Sequence, residues 1–174
     1  TPIANPSRFI PDWTFCIQEA RLQELVDQVR AEHKPAAVVL LSHNGMDVDL
    51  KLAERVSGID VIFGGHTYDS MPIPTVVSNR SGQTLVSNAG SNGKYLAVMD
   101  LDLSGGKLRD FRYRLLPVFA NLLSADPEMQ AHIDGVRAPY REMLEEKLAV
   151  ADETLYLRGN FNGPFDQVIC DALR

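Results

Sequence analysis

The sequence predicts an α/β fold, and three observations carry that prediction. Leu22, Leu25, Val26 and Val29 recur at i, i+3, i+4 and i+7, the spacing of one apolar helix face. Two short apolar runs, Ala36 to Ser42 and Ile59 to Phe63, have strand length and alternate with helical stretches. Beyond Asp69 the pattern changes to strand-like segments divided by turn signals. Helix, strand, helix, strand is the order of a parallel unit with a right-handed crossover.

The elements follow in order. Thr1 to Asp12 carries three prolines, Pro2, Pro6 and Pro11, and is expected to be an irregular connection. A helix is expected over Gln18 to His33 and stops at Pro35. Ala36 to Ser42 reads as a strand buried on both faces, because its apolar run is unbroken. His43-Asn44-Gly45 is a loop. Asp47 to Val56 is a second helix with Val48, Leu52 and Val56 on one side, ended by Gly58. Ile59 to Phe63 is a second buried strand, broken by Gly64-Gly65-His66. Thr75 to Val77, Thr84 to Ser87, Tyr95 to Leu103 and Lys107 to Leu116 read as an antiparallel meander packed on, or continuing, that sheet. Asp126-Pro127-Glu128 opens a long polar helix reaching about Lys147, with Asp126 as its cap and Pro127 in its first turn. Val150 to Leu157 reads as a short strand, and Gln167 to Arg174 as a helix.

The 174 residues amount to about one domain. A hydrophobic fraction of 45% and a charged fraction of 23% are those of a globular chain, not a disordered or fibrous one. A membrane span needs about 20 apolar residues, and the apolar runs here, such as Val38 to Leu41, are far shorter. Net charge is -6 and no Lys or Arg cluster stands out, which argues against a nucleic-acid surface. Cys16 and Cys170 sit at opposite ends, with neither zinc-ligand spacing nor a disulfide framework.

His43 and His66 occupy equivalent places, each following a predicted parallel strand. The carboxyl ends of such strands face one edge of the sheet, where ligands bind. One βαβ unit therefore brings both histidines to one rim. Neutral imidazole is the commonest protein metal ligand, so the pair reads as half of a metal site. A histidine after a strand is also an ordinary hydrogen-bonded loop residue. His33, near a helix end, and His132, on the polar helix, read as structural or surface residues. Asp47, Asp49 and Asp69 lie near the pair in sequence and are candidates to orient imidazoles; Asp47 serves equally as a helix cap. Asn88 and Asn92 sit in a loop that could line a pocket, although Asn92-Gly93 is first a hairpin signal. No Ser-His-Asp order, phosphate loop or dinucleotide glycine pattern appears, so no catalytic nucleophile is assigned.

Leu40-Leu41-Ser42-His43-Asn44-Gly45 and Gly64-Gly65-His66-Thr67-Tyr68-Asp69 resemble the later half of a calcineurin-like metallophosphoesterase domain of the 5′-nucleotidase family. Within it the chain is similar to the SoxB thiosulfohydrolase family of sulfur oxidation. Thr1 to Pro6, Asp12 to Phe15, Asn88 to Leu96, Gly159 to Gly163 and Phe165-Asp166-Gln167 carry that closer resemblance. It implies the later half of a four-layer αββα sandwich over 1–117, a helical linker over 118–148, and the start of a 5′-nucleotidase C-terminal domain over 149–174. It also implies two divalent ions, manganese in this family, and a periplasmic location. The implied substrate is a cysteine-bound thiosulfonate on the SoxYZ carrier, hydrolysed to release sulfate.

By the same resemblance His43 matches the metal-ligand histidine of a Ser-His-x-Gly motif, and His66 the first histidine of Gly-His-Thr-His. Tyr68 stands where that motif has its second histidine, also a metal-ligand position. The family's Asp-x-His and Asn-His ligand motifs are absent. The chain starts at Thr1 and ends in mid-helix, so it reads as an internal fragment of a longer enzyme, inactive alone. Two other functions remain open: a 5′-nucleotidase or nucleotide-sugar hydrolase, and a binding scaffold that has lost catalysis.

Overall fold

The computed structural model describes residues 7–14, 16–157 and 163–174. The segments Thr1 to Pro6 and Arg158 to Asn162, and Phe15, lie outside the described residues. The chain divides into two compact units, Thr1–Leu123 and Ser124–Arg174.

After a 3-10 turn at Ser7–Phe9, the first unit runs through α1 (Glu19–His33), β1 (Val39–Leu41), α2 (Met46–Arg55) and β2 (Val61–Gly64). Four strands follow: β3 (Thr75–Asn79), β4 (Gly82–Asn88), β5 (Tyr95–Asp102) and β6 (Asp110–Pro117). The main sheet has the order β1-β2-β4-β3. β1, β2 and β4 run parallel, and β3 pairs antiparallel with β4. The β3–β4 chain reversal thus feeds β4 into the sheet beside β2. Among the described residues β5 and β6 pair only with each other. The expected meander is therefore two separate hairpins, one continuing the sheet and one packed beside it. Tyr113 of β6 joins them: its hydroxyl donates to the Met71 carbonyl at 3.1 Å and bonds the Ser87 hydroxyl at 2.9 Å.

The core gathers Val26 of α1, Leu52, Ala53 and Val56 of α2 and its end, and Ile59, Ile62 and Val86 from the sheet side. Burying a Val, Leu or Ile contributes about 1.5–3 kcal/mol. Neither α1 nor α2 has a side-chain N-cap bond; at α2, where Gly45 is the cap, this costs only a few tenths of a kcal/mol. Packing of their inner faces outweighs it. Of the expected apolar face of α1, Leu25 stands half exposed, at 51%.

β1 departs from expectation. Among the described residues it pairs only with β2 and forms an edge, with Val39 45% and Leu41 78% exposed. An unbroken apolar run does not by itself say which face is covered. Exposed flat edges pair with other chains, so the isolated 174-residue chain is expected to self-associate. Leu41→Lys should shift its sedimentation profile towards monomer; an unsubstituted chain that sediments as a single monomeric species would contradict this.

The second unit carries α3 (Pro127–Arg137), α4 (Arg141–Glu145) and α5 (Pro164–Ala172). Asp126 caps α3 as expected, accepting from Met129 N–H at 2.8 Å. The long helix is interrupted by a single 3-10 turn, Ala138–Tyr140. Pro139 is the reason: it lacks an N–H and its ring crowds the carbonyl four residues earlier. Residues 150–157 form no strand. A strand is stable only in a ladder, and the described residues of this unit offer no partner strand. No described helix is long and apolar enough to cross a membrane.

Candidate functional site

The parallel strands end together, and the loops leaving them make one rim. Ser42 to Gly45 leaves β1, Gly65 to Ser70 leaves β2, and the Ala89–Gly90 turn leaves β4. Backbone bonds tie these loops together. Gly90 N–H donates to Asp69 O at 2.7 Å, Met71 N–H to Asn88 O at 3.1 Å, and Ser70 bridges Ala89.

His43 and His66 meet on this rim. Their rings lie edge to face with centroids 5.1 Å apart. Gly65 permits the approach, since a Cβ there would lie 3.1 Å from His43 Nδ1. His66 and Tyr68 both have positive φ, 78° and 61°. Such backbone is costly for residues other than glycine and tends to cluster at functional sites. The loop is held by Thr67: its hydroxyl accepts from Met46 N–H at 3.1 Å and donates to Asp69 Oδ2 at 2.5 Å. Asp69 thus orients the loop rather than an imidazole.

The other candidates separate. Tyr68 is exposed. Asp47 lies in the first turn of α2, whose N-cap is Gly45, so it does not cap that helix. Asn92 is exposed in a tight turn closed by Lys94 N–H to Ser91 O at 3.1 Å. That turn joins β4 to β5, which belong to different sheets, so Asn92-Gly93 builds no hairpin. Asn88 is buried beneath the rim, its Oδ1 accepting from Gly90 N–H at 3.2 Å. His33 ends α1, and His132 lies on α3 in the second unit.

Asp49 is fully buried on α2 and its carboxylate accepts from the Ser42 hydroxyl at 2.5 Å. Burial pushes its carboxyl above the usual range, against the opposing effect of that bond. Its Oδ2 and Asn88 Nδ2 are buried polar atoms without hydrogen-bond partners. An unmet buried group costs about 1–3 kcal/mol. Asp49 shares its helix face with Leu52, Ala53 and Val56, at i+3, i+4 and i+7. A carboxylate on an otherwise apolar stripe was the sequence signal for it. Nothing in the sequence marked Ser42 as its partner.

Two imidazoles on one rim fit part of a metal donor set, each offering a neutral nitrogen lone pair. Among the described residues, no group of three or more His, Cys, Asp or Glu side chains is arranged to hold an ion. His43 and His66 are thus the share of a site that the described residues assemble.

Parallel strands flanked by helices, with two imidazoles beyond their carboxyl ends, define an α/β domain whose rim offers part of a metal donor set. The chain resembles SoxB and the 5′-nucleotidases in sequence and in fold. It is similar over 99% of its length to the sulfate thiohydrolase SoxB of Thermus thermophilus, with 39% identity and a TM-score of 0.78. A 5′-nucleotidase precursor, also from Thermus thermophilus, matches 82% of the chain with 27% identity and a TM-score of 0.69. The trifunctional nucleotide phosphoesterase YfkN of Bacillus subtilis is 30% identical over 136 residues, which is 76% of this chain and 9% of that protein. The chain spans 31% of the length of each of the two solved structures. No protein-family model matches it.

Proposed function

We propose that this chain supplies part of the catalytic rim of a metal-dependent hydrolase of the SoxB type. The observation that carries the reading is the whole-length similarity to SoxB, 39% identical, together with two imidazoles 5.1 Å apart at the strand ends. The proposed substrate is a cysteine-bound thiosulfonate on a SoxYZ carrier, and the proposed location is the periplasm. Water oxygen adds to the sulfonate sulfur, the bond to the neighbouring sulfur breaks, sulfate leaves, and the shortened sulfur chain stays on the carrier.

His43 and His66 would hold divalent ions, manganese in this proposal, as neutral imidazoles. Such ions supply polarisation of the substrate oxyanion and an activated water at neutral pH. Both histidines are exposed on the rim, open to a substrate arriving from solvent. Tyr68 stands on the same loop as His66 and would donate a hydrogen bond from its hydroxyl to the substrate. Of the two asparagines, Asn92 is exposed and would be the one to meet a substrate, while Asn88 is buried.

A second reading, hydrolysis of nucleotides, is favoured by the similarity to YfkN and the 5′-nucleotidase precursor. The full-length protein loaded with Mn2+ should be given a thiosulfonated cysteine peptide and, separately, adenosine 5′-monophosphate. Metal-dependent sulfate release as the faster reaction supports the first reading. Faster phosphate release replaces it with the second. Turnover of neither leaves a binding scaffold.

A further inference from the structure

Ser42, Gly64 and Asn88 form one row across the carboxyl ends of β1, β2 and β4. Gly64 pairs with Asn88 in the ladder. Ser42 carries the β1–β2 register one residue on, its N–H donating to Phe63 O at 2.9 Å. Residues in register across a parallel pair present their side chains on one face. Here that face is the one under α2, because Ile62 and Val86, two residues earlier on the same side, pack with Leu52 and Ala53.

Asp49 lies beneath this row. One carboxylate oxygen accepts from Ser42. The other lies under Gly64, where a Cβ would be only 2.5 Å away, so glycine alone leaves it room. That second oxygen is an unpartnered acceptor, and Asn88 Nδ2 is an unpartnered donor on the same face of the adjacent strand. The two do not bond each other directly, and a buried donor and acceptor on one face are satisfied together by a single bridging water.

We infer that Asp49 is a positioning residue that ties Ser42 to Asn88 across Gly64 and thereby sets the distance between His43 and His66. Ser42 immediately precedes His43, and Gly64 stands two residues before His66. A shift of either strand end moves one ring relative to the other. The effect on metal affinity rests on the function proposed above; the effect on ring distance does not.

The test uses the full-length protein, first without metal. The nuclear Overhauser effect between the His43 and His66 rings, present in the parent, should vanish in Asn88→Asp, which sets one carboxylate against another. The exchange Asp49→Asn with Asn88→Asp restores one donor facing one acceptor and should restore the effect. In the Mn2+ titration the single variant should bind about 10–100-fold more weakly, as loss of an orienting partner does, and the exchange should recover most of it. An unchanged Overhauser effect in Asn88→Asp, or an exchange no better than the single variant, overturns the inference. Should Asn88→Asp not fold, Ser42→Ala decides. Disappearance of the Overhauser effect at the parental melting temperature supports the inference, and its persistence overturns it. His43→Ala with unaltered Mn2+ affinity would count against the metal reading alone, leaving the distance between the rings to judge Asp49.

Discussion

Replacing His43 with alanine in the full-length protein is expected to abolish hydrolysis and to lower Mn2+ affinity by more than about 100-fold. Orienting partners of a ligand cost roughly 10–100-fold when removed, and a group that donates its own lone pair does more. The substitution is expected to leave the fold intact. His43 is exposed, lies beyond the end of β1 and contributes nothing to the core cluster. Melting temperature should therefore stay close to that of the parent while metal content falls. This separation distinguishes a ligand from a structural residue: a variant that loses stability and keeps its metal would place His43 among ordinary loop histidines. The ring of His66, 5.1 Å away, predicts a parallel result for His66→Ala. His66 carries the added constraint of its positive φ of 78°, so removing its Cβ-bearing ring by substitution with glycine should relax the loop where alanine does not.

What could be read from the sequence follows from what each signal encodes. Periodicity places a residue on a face, and a βαβ unit has one handedness. Those two facts bring His43 and His66 to one rim, which is where their rings meet. Strand order is encoded less locally. Nothing in Thr75 to Ser87 says that β4 passes β3 to pair with β2, yet that order alone puts Asn88 beside Gly64. The row beneath the rim was therefore out of reach, although Ser42, Asp49 and Asn88 were each visible as residues. Pro139 was legible in principle, since a proline inside a helical pattern breaks it. The strand expected over Val150 to Leu157 shows the opposite limit: a β-prone run describes a surface that can pair, not the presence of a partner.

Tyr68→His is expected to tighten binding of one metal ion, about tenfold or more. A phenol ordinarily loses its proton near pH 10, so presenting phenolate at pH 7 costs about 4 kcal/mol before any ion helps. Neutral imidazole binds without that cost, and recovering a third of it is already about tenfold in affinity. The backbone at this position is suited to the exchange. Tyr68 has a φ of 61° and a side chain 64% exposed, so the ring fills no cavity. Histidine is among the residues enriched in left-handed backbone. The loop is held by Thr67 on Met46 and Asp69 rather than by Tyr68 itself. Under this reading the tyrosine donates a hydrogen bond towards substrate rather than binding metal, so the gain in metal affinity should come with a loss in kcat. Calorimetric Mn2+ titration of the full-length parent and variant decides it, with kcat measured beside it. If the variant binds both ions no more tightly than the parent, Tyr68 is either a competent ligand already or distant from the metal, and its role as donor falls.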